Sequence, residues 1–315
     1  MKKLIFLILF LSLNISSQDL KKVDLIIYSY HSITSAEQLA KRIDYDFNTD
    51  IEKIRALYTW LTLNIQYDYS VSTNIKSPEI IIHNGEIDLK YRLRWIENNL
   101  VSKTISTKKS VCYGIAITFK KVCDLLNLES ELIKGYTRTL NNEINYIPKN
   151  KNHIWNAVKI NEKWVIVDAT YGLKRNAKNS KPNYYYFDIE KEKLNLTHFT
   201  SNPKWINYLN QKKLKNFCYQ PIFSDAYFKY NVELIEPLKG KITSEREKII
   251  LKIRNIKPET EISYKFEESL YRQIPTVKSK NYTTNIVIDN PKKNTNLYIY
   301  LDGEYALSYK ITKPE

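Results

Sequence analysis

Glycine is scarce in this chain, at 6 of 315 residues, or about 2% where soluble proteins carry roughly 7%. Cysteine occurs 3 times and histidine 4 times, too sparsely for a disulfide-built miniprotein. No C-x-x-C, H-x-x-x-H or close carboxylate cluster occurs, so no metal-ligand motif is visible and no cofactor is implied. A glycine-rich phosphate loop, a collagen period, an internal repeat and a low-complexity linker are equally missing. Beyond the first residues no apolar run is long enough to span a bilayer.

What remains is a globular composition, with 43% hydrophobic and 26% charged residues, enough chain for one large or two ordinary domains. The net charge is +15, from 49 Lys+Arg against 34 Asp+Glu. The lysines are spread out rather than gathered into a face with interleaved aromatics. That argues against a specific nucleic-acid partner and leaves an anionic cell-envelope polymer open as one.

Lys2 and Lys3 precede an apolar run over residues 4–13, then Ser16, Ser17 and Gln18. This reads as a signal peptide over residues 1–17. With no lipobox cysteine behind it, the expectation is a secreted or periplasmic protein without a transmembrane segment in the mature chain. In that oxidising setting Cys112, Cys123 and Cys218 are odd in number, so at least one thiol stays unpaired within the chain. Cys112 and Cys123 fall on one predicted helix, about 16 Å apart at roughly 1.5 Å per residue, beyond disulfide reach.

Ser35 with Gln38 and Thr49 with Glu52 form capping-box patterns. Ile51, Ile54, Tyr58, Leu61 and Ile65 follow at helical spacing. A weaker helix is expected over 89–99 within an otherwise irregular stretch, and another over 112–127 with Ile115, Phe119, Val122 and Leu126 buried. Strands are expected over 131–137, 153–160 and 163–169, the last two joined by Asn161 and Glu162 at hairpin spacing. From residue 221 short alternating runs replace this pattern, over 230–235, 249–253, 261–266, 282–288, 297–301 and 305–311. Asp302-Gly303 supplies a type I′ turn between the last two. The expected fold is α+β, with a domain over 18–220 of helices packed on an antiparallel sheet and a small all-β sandwich over 221–315.

Gly114, Gly135 and Gly172 cluster in the interval that also holds Cys112, His153 and Asp168. Where glycine is rare, each one answers a backbone requirement. A cysteine at a helix start can be held as thiolate by the exposed amides and by a neighbouring imidazolium. If Asn161 and Glu162 form the turn, Ile160 pairs with Lys163 and His153 lies opposite Thr170. Asp168 then shares a face with His153, together with Trp155, Ala157, Trp164 and Ile166, and that face packs on the Cys112 helix. A one-residue slip would separate histidine from aspartate.

Val111-Cys112-Tyr113-Gly114, His153-Ile154-Trp155-Asn156 and Val167-Asp168-Ala169-Thr170-Tyr171-Gly172 resemble, in content and order, the transglutaminase-like superfamily, in its kyphoscoliosis-peptidase-like branch. Upstream Ile65-Gln66-Tyr67-Asp68 and downstream Thr197-His198-Phe199 with Pro203-Lys204-Trp205 resemble further segments of that branch. Ser110 and Ile154 depart from its usual residues. The resemblance implies a papain-like/transglutaminase-like core and a triad of Cys112 as nucleophile, His153 as base then acid, and Asp168 as orienter. It implies acyl transfer on peptide or protein substrates through a thioester, ending in hydrolysis or in a crosslink. Gln66, Tyr67 and Trp155 are the candidate oxyanion and substrate-binding residues, and His198 is expected to pack or to support the substrate side. The rival reading is a cell-surface binding module that keeps the fold without turnover.

Overall fold

The computed structural model describes residues 17–71, 86–174, 181–243 and 245–313. The expected signal peptide and His83 lie outside the described residues, Ser17 apart. Helices α1 (Ser17–Ile27), α2 (Ala36–Asp46) and α3 (Asp50–Asn64) open the fold. The predicted caps form: Ser35 Oγ accepts from Gln38 N–H at 3.1 Å, and Thr49 with Glu52 completes a full capping box. The turn before α2 differs slightly, since Gln38 Oε1 accepts from Thr34 N–H. A full box satisfies amides that would otherwise stay orphaned at the helix start, about 1 kcal/mol per cap.

Helix α3 is buried on every side from Ile54 to Thr62, not along a single stripe. Arg55 within it must therefore be paired, and its guanidinium takes both oxygens of Asp24 on α1 at 2.8 Å while lying over the Tyr184 ring. Strand β1 (Gln66–Tyr67) follows, then α4 (Glu86–Thr107), which is longer than the expected 89–99 segment. Next come β2 (Lys109–Ser110), α5 (Cys112–Leu125), β3 (Ser130–Thr137), β4 (His153–Ile160) and β5 (Lys163–Val167). After them stand α6 (Lys191–Thr197), β6 (His198–Thr200), α7 (Pro203–Tyr208) and α8 (Leu214–Cys218). The main sheet runs β5-β4-β3-β6, antiparallel throughout.

The hairpin register is the one read from the sequence, with Ile160 opposite Lys163. Asn161 and Glu162 both take positive φ, 46° and 63°, as a type I′ turn demands. The ladder ends at Asn156 opposite Val167, so the expected His153–Thr170 pair does not form. The chain turns away at Asp168, whose N–H donates to Tyr186 O at 2.9 Å. One face assignment also changes. As a central strand β4 is buried on both sides, and it is Ile154 and Asn156 that meet α5: Ile154 packs with Cys112 and Ala116, and Asn156 Nδ2 donates to Ala116 O at 3.0 Å.

From β7 (Ile222–Phe223) the chain builds a second core. After α9 (Asp225–Lys229) come β8 (Glu233–Glu236), β9 (Lys241–Thr243), β10 (Lys248–Arg254), β11 (Ile262–Phe266), β12 (Thr276–Lys280), β13 (Thr283–Asp289), β14 (Thr295–Leu301) and β15 (Glu304–Thr312). They form two facing sheets, β12-β13-β10-β8 and β11-β14-β15-β7, with β9 beside β15. The two cores are stitched together by Tyr185 stacked on Phe228 at 4.4 Å, by Tyr186 Oη donating to Asp225 at 3.1 Å, and by a bond between Ser308 and Asn141. Among the described residues no helix is long and apolar enough to cross a membrane.

Scarce glycine leaves its mark on the turns. Among the described residues Gly303 is the single glycine at positive φ, while Asn127, Asn145, Asn161, Asn210, Asn231, Asn255 and Asn281 take the left-handed region that asparagine tolerates best after glycine. Gly114 and Gly172 are required for closeness instead. A Cβ on Gly114 would overlap Ser110 Oγ and come within 2.9 Å of Thr104 Oγ1, and one on Gly172 would overlap the Tyr58 hydroxyl.

Candidate active site

Cys112 is the first residue of α5, and the preceding Val111 offers no side-chain cap. Its first turn also carries no acidic residue, unlike the capped and acidic starts of α2 and α3. The orphan amides and positive end of the dipole are thus left for a negative group at the cysteine. Parallel pairing of β1 with β2, Gln66 opposite Lys109 and Tyr67 opposite Ser110, lays the upstream motif beside that helix start. All three cysteines are free, so the unpaired thiol expected from their odd number is joined by the other two. Cys112 keeps a small opening at 4% exposure, whereas Cys123 and Cys218 have none at 0%.

His153 begins β4 and Asp168 follows β5, and His153 Nε2 donates to Asp168 Oδ2 at 2.6 Å. A carboxylate can only accept, so this contact fixes the proton on Nε2 and leaves Nδ1 for the thiol. Cys112 lies close enough to the ring to help raise its pKa. The other oxygen, Asp168 Oδ1, accepts from Tyr171 N–H at 2.9 Å. The predicted Cys112, His153 and Asp168 therefore converge.

The same Oδ2 also accepts from His198 Nε2 at 2.9 Å, and His198 Nδ1 lies 2.7 Å from Thr197 Oγ1. His198 stands at the start of β6, two strands from β4, and sequence spacing gave no sign that it would reach the triad acid. His153, Asp168 and His198 are all buried, with ligand-type atoms within 4.8 Å of one another. Their spacing would also suit a metal ion, but Oδ2 is already occupied by two N–H donors, so the cluster as built is arranged around protons.

Charge is divided unequally across this group. Burial works against ionisation of Asp168, yet the His153 charge and the two hydrogen-bonded rings hold its carboxyl well below the usual range. Burial also disfavours the charged His153 ring, but Asp168 and then Cys112 outweigh it and push its pKa up to about 10. His198 goes the other way: burial lowers it, and Asp168 does not overcome that with His153 nearby. Near neutral pH the ionised pair is Asp168 with His153, and His198 is a neutral donor. Burial, followed by the Cys112 charge, pushes the Tyr67 hydroxyl up to about 12. Burial also raises the Cys123 and Cys218 thiols.

A cleft of about 800 Å³ opens onto His153. Gln66 and Tyr67 line it, with Arg138 and Tyr171 from the core domain and Asp225 and Tyr305 from the sandwich. Cys112 is not among the residues that line it. Trp155 does not reach the cleft: at 1% exposure it is a core ring, edge-on to His198 at 5.0 Å and stacked beside His153 at 6.0 Å. Its place is explained by the burial of β4 on both faces, which leaves no solvent side for an indole.

A thiol at an uncapped helix start, a histidine and a buried aspartate, carried on helices packed against an antiparallel sheet, define a cysteine-dependent class of acyl-transfer site. Residues 37–169 match the family model of the transglutaminase-like superfamily, and this part of the chain is a transglutaminase-like core. Human kyphoscoliosis peptidase is 22% identical over 212 residues, which cover 65% of this chain and 29% of that protein. The Lim and transglutaminase domain protein ltd-1 of Caenorhabditis elegans is 22% identical over 222 residues, covering 65% of this chain and 28% of that protein. The chain thus spans less than a third of the length of these relatives. A crystal structure described as a TGase overlaps 56% of this chain and 38% of its own, at 15% identity and a TM-score of 0.29.

Proposed function

We propose that this chain is an exported cysteine enzyme that cleaves peptide or protein amide bonds through a thioester on Cys112, with hydrolysis as the outcome. The observation that carries this reading is the meeting of Cys112, His153 and Asp168. The Cys112 thiolate attacks the amide carbonyl carbon, and the His153 imidazolium gives its proton to the departing amine as the C–N bond breaks. Water then attacks the thioester, passing a proton to His153. The C–S bond breaks, the carboxylic acid leaves, and the Cys112 thiolate and His153 imidazolium are restored. The carbonyl oxygen, negative in each tetrahedral intermediate, is held by the Cys112 backbone N–H and by a donor from the Gln66-Tyr67 segment.

Substrate enters through the cleft, reaching the sulfur past His153 and Tyr67. Hydrolysis is preferred to crosslinking because relatives covering most of the core carry the name peptidase. Export rests on the charged and apolar N-terminal residues. The test is mass spectrometry of the Cys112 peptide after exposure to candidate peptides, with and without an amine acceptor. A Cys112 acyl adduct that decays to free acid supports a hydrolase, one that passes to the amine supports a crosslinking enzyme, and no adduct with any donor supports a binding module.

A further inference from the structure

Asp168 is gripped by more than the triad requires. It is fully buried, and its Oδ2 divides between His153 Nε2 at 2.6 Å and His198 Nε2 at 2.9 Å, while Oδ1 takes the Tyr171 N–H. Resting on the triad reading above, we infer that His198 is a positioning residue for the reaction: a neutral second donor that keeps Asp168 ionised and aimed, and through it holds His153 toward Cys112.

Hydrogen-bonding capacity makes His198 a one-way device. Its Nε2 must carry the proton, since a carboxylate only accepts, and a neutral ring then has Nδ1 free to accept the Thr197 hydroxyl proton at 2.7 Å. The surroundings keep the ring neutral and immobile. From β4 it faces His153 and Trp155, and from the chain after β5 it faces Asp168 and Tyr171. Tyr186 completes the shell, with its own hydroxyl tied to Asp225.

The arrangement matters when the proton moves. Once His153 has given its Nδ1 proton to the leaving amine, its Nε2–H still donates to Asp168, but the positive charge beside the carboxylate is gone. A buried carboxylate that loses a neighbouring positive charge is pushed toward its protonated form. His198 and the Tyr171 amide stay in place through that step, so Asp168 remains charged and ready for His153 to take the next proton. Without His198 the support for the His153 imidazolium weakens, and so does the pairing of that ring with Cys112.

The test follows Cys112 alkylation by iodoacetamide against pH, read on the Cys112 peptide by mass spectrometry, which needs no substrate. His198→Phe keeps a ring among its aromatic neighbours without the donor, and His198→Gln restores an N–H. The expected result is an acid limb moved up by about one pH unit in His198→Phe, with most of the shift recovered in His198→Gln. Thr197→Val, which frees the ring's tautomer, moves the limb less and in the same direction, and it serves if His198→Phe does not fold. A folded variant whose limb stays at the wild-type position overturns the inference, as does a uniform loss of rate without a shift. Failure of the triad reading itself looks different: wild-type Cys112 would react no faster than an ordinary thiol, and His153→Ala would change nothing.

Discussion

His153 Nε2 meets Asp168 Oδ2 at 2.6 Å although the ladder joining their strands stops at Asn156 opposite Val167, short of both residues. The contact is made by the turn after β5, where Asp168 is held from behind by the Tyr186 carbonyl. Its position depends on the hairpin register and on that loop together.

Asp168→Asn should leave the fold in place and disable the chemistry. The amide presents a donor as well as an acceptor to two rings that both need an acceptor. Activity is expected to fall by about 10³- to 10⁴-fold, the size of the loss when an orienting aspartate is neutralised in serine proteases. His153 should titrate well below its present value of about 10, because burial would then be opposed by Cys112 alone, and an NMR titration of the ring reads this directly.

Stability should depend on pH from both sides. His153 is raised from about 6.5 unfolded to about 10 folded, so its contribution is fully present below the unfolded value and is lost as pH rises through the folded one. Asp168 is held low, so its contribution is present above about 4 and is lost as pH falls. His198, lowered by burial, adds to the acid loss because it must charge on unfolding. Melting temperatures should be highest near about pH 6.5 and fall on either side, and His153→Ala should reduce the alkaline fall.

The ion pair between Arg55 and Asp24 ties α1 to α3. Asp24→Ala strands a buried guanidinium, and breaking such a pair costs about 3–5 kcal/mol. Denaturant unfolding of the variant measures it. The same bond makes α1 part of the folded unit.

Gly114→Ala should destabilise by overpacking, about 1–3 kcal/mol, since the new methyl meets Ser110 Oγ and Thr104 Oγ1. Ser110→Ala should recover part of that loss. A double-mutant cycle of unfolding free energies is expected to show non-additivity, and additive losses would place the strain elsewhere.

The Cys112, His153 and Asp168 set was legible because its geometry is largely local: a helix start, a two-residue turn and an alternating strand. Trp155 was assigned to the site because alternation tells which residues share a face but not that β4 is covered on both faces. His198 escaped because its approach to Asp168 needs the order β5-β4-β3-β6, in which β6 joins from 30 residues beyond the acid. In the sandwich, strands with alternating burial such as β10 and β14 stood out. β12 did not, since all five of its residues are exposed and its sequence has no buried face to mark. The full length of α4 was hidden because its last turns, ending at Thr107, are rich in polar and β-branched residues.

The most direct measurement is peptide-resolved iodoacetamide labelling at neutral pH, compared between wild type and His153→Ala. Rapid modification of Cys112 is expected, with Cys123 and Cys218 spared in the folded protein and the Cys112 rate falling by about 10²-fold or more in the variant. A Cys112 that reacts as slowly as the two sealed thiols, or that ignores the loss of His153, would contradict the account.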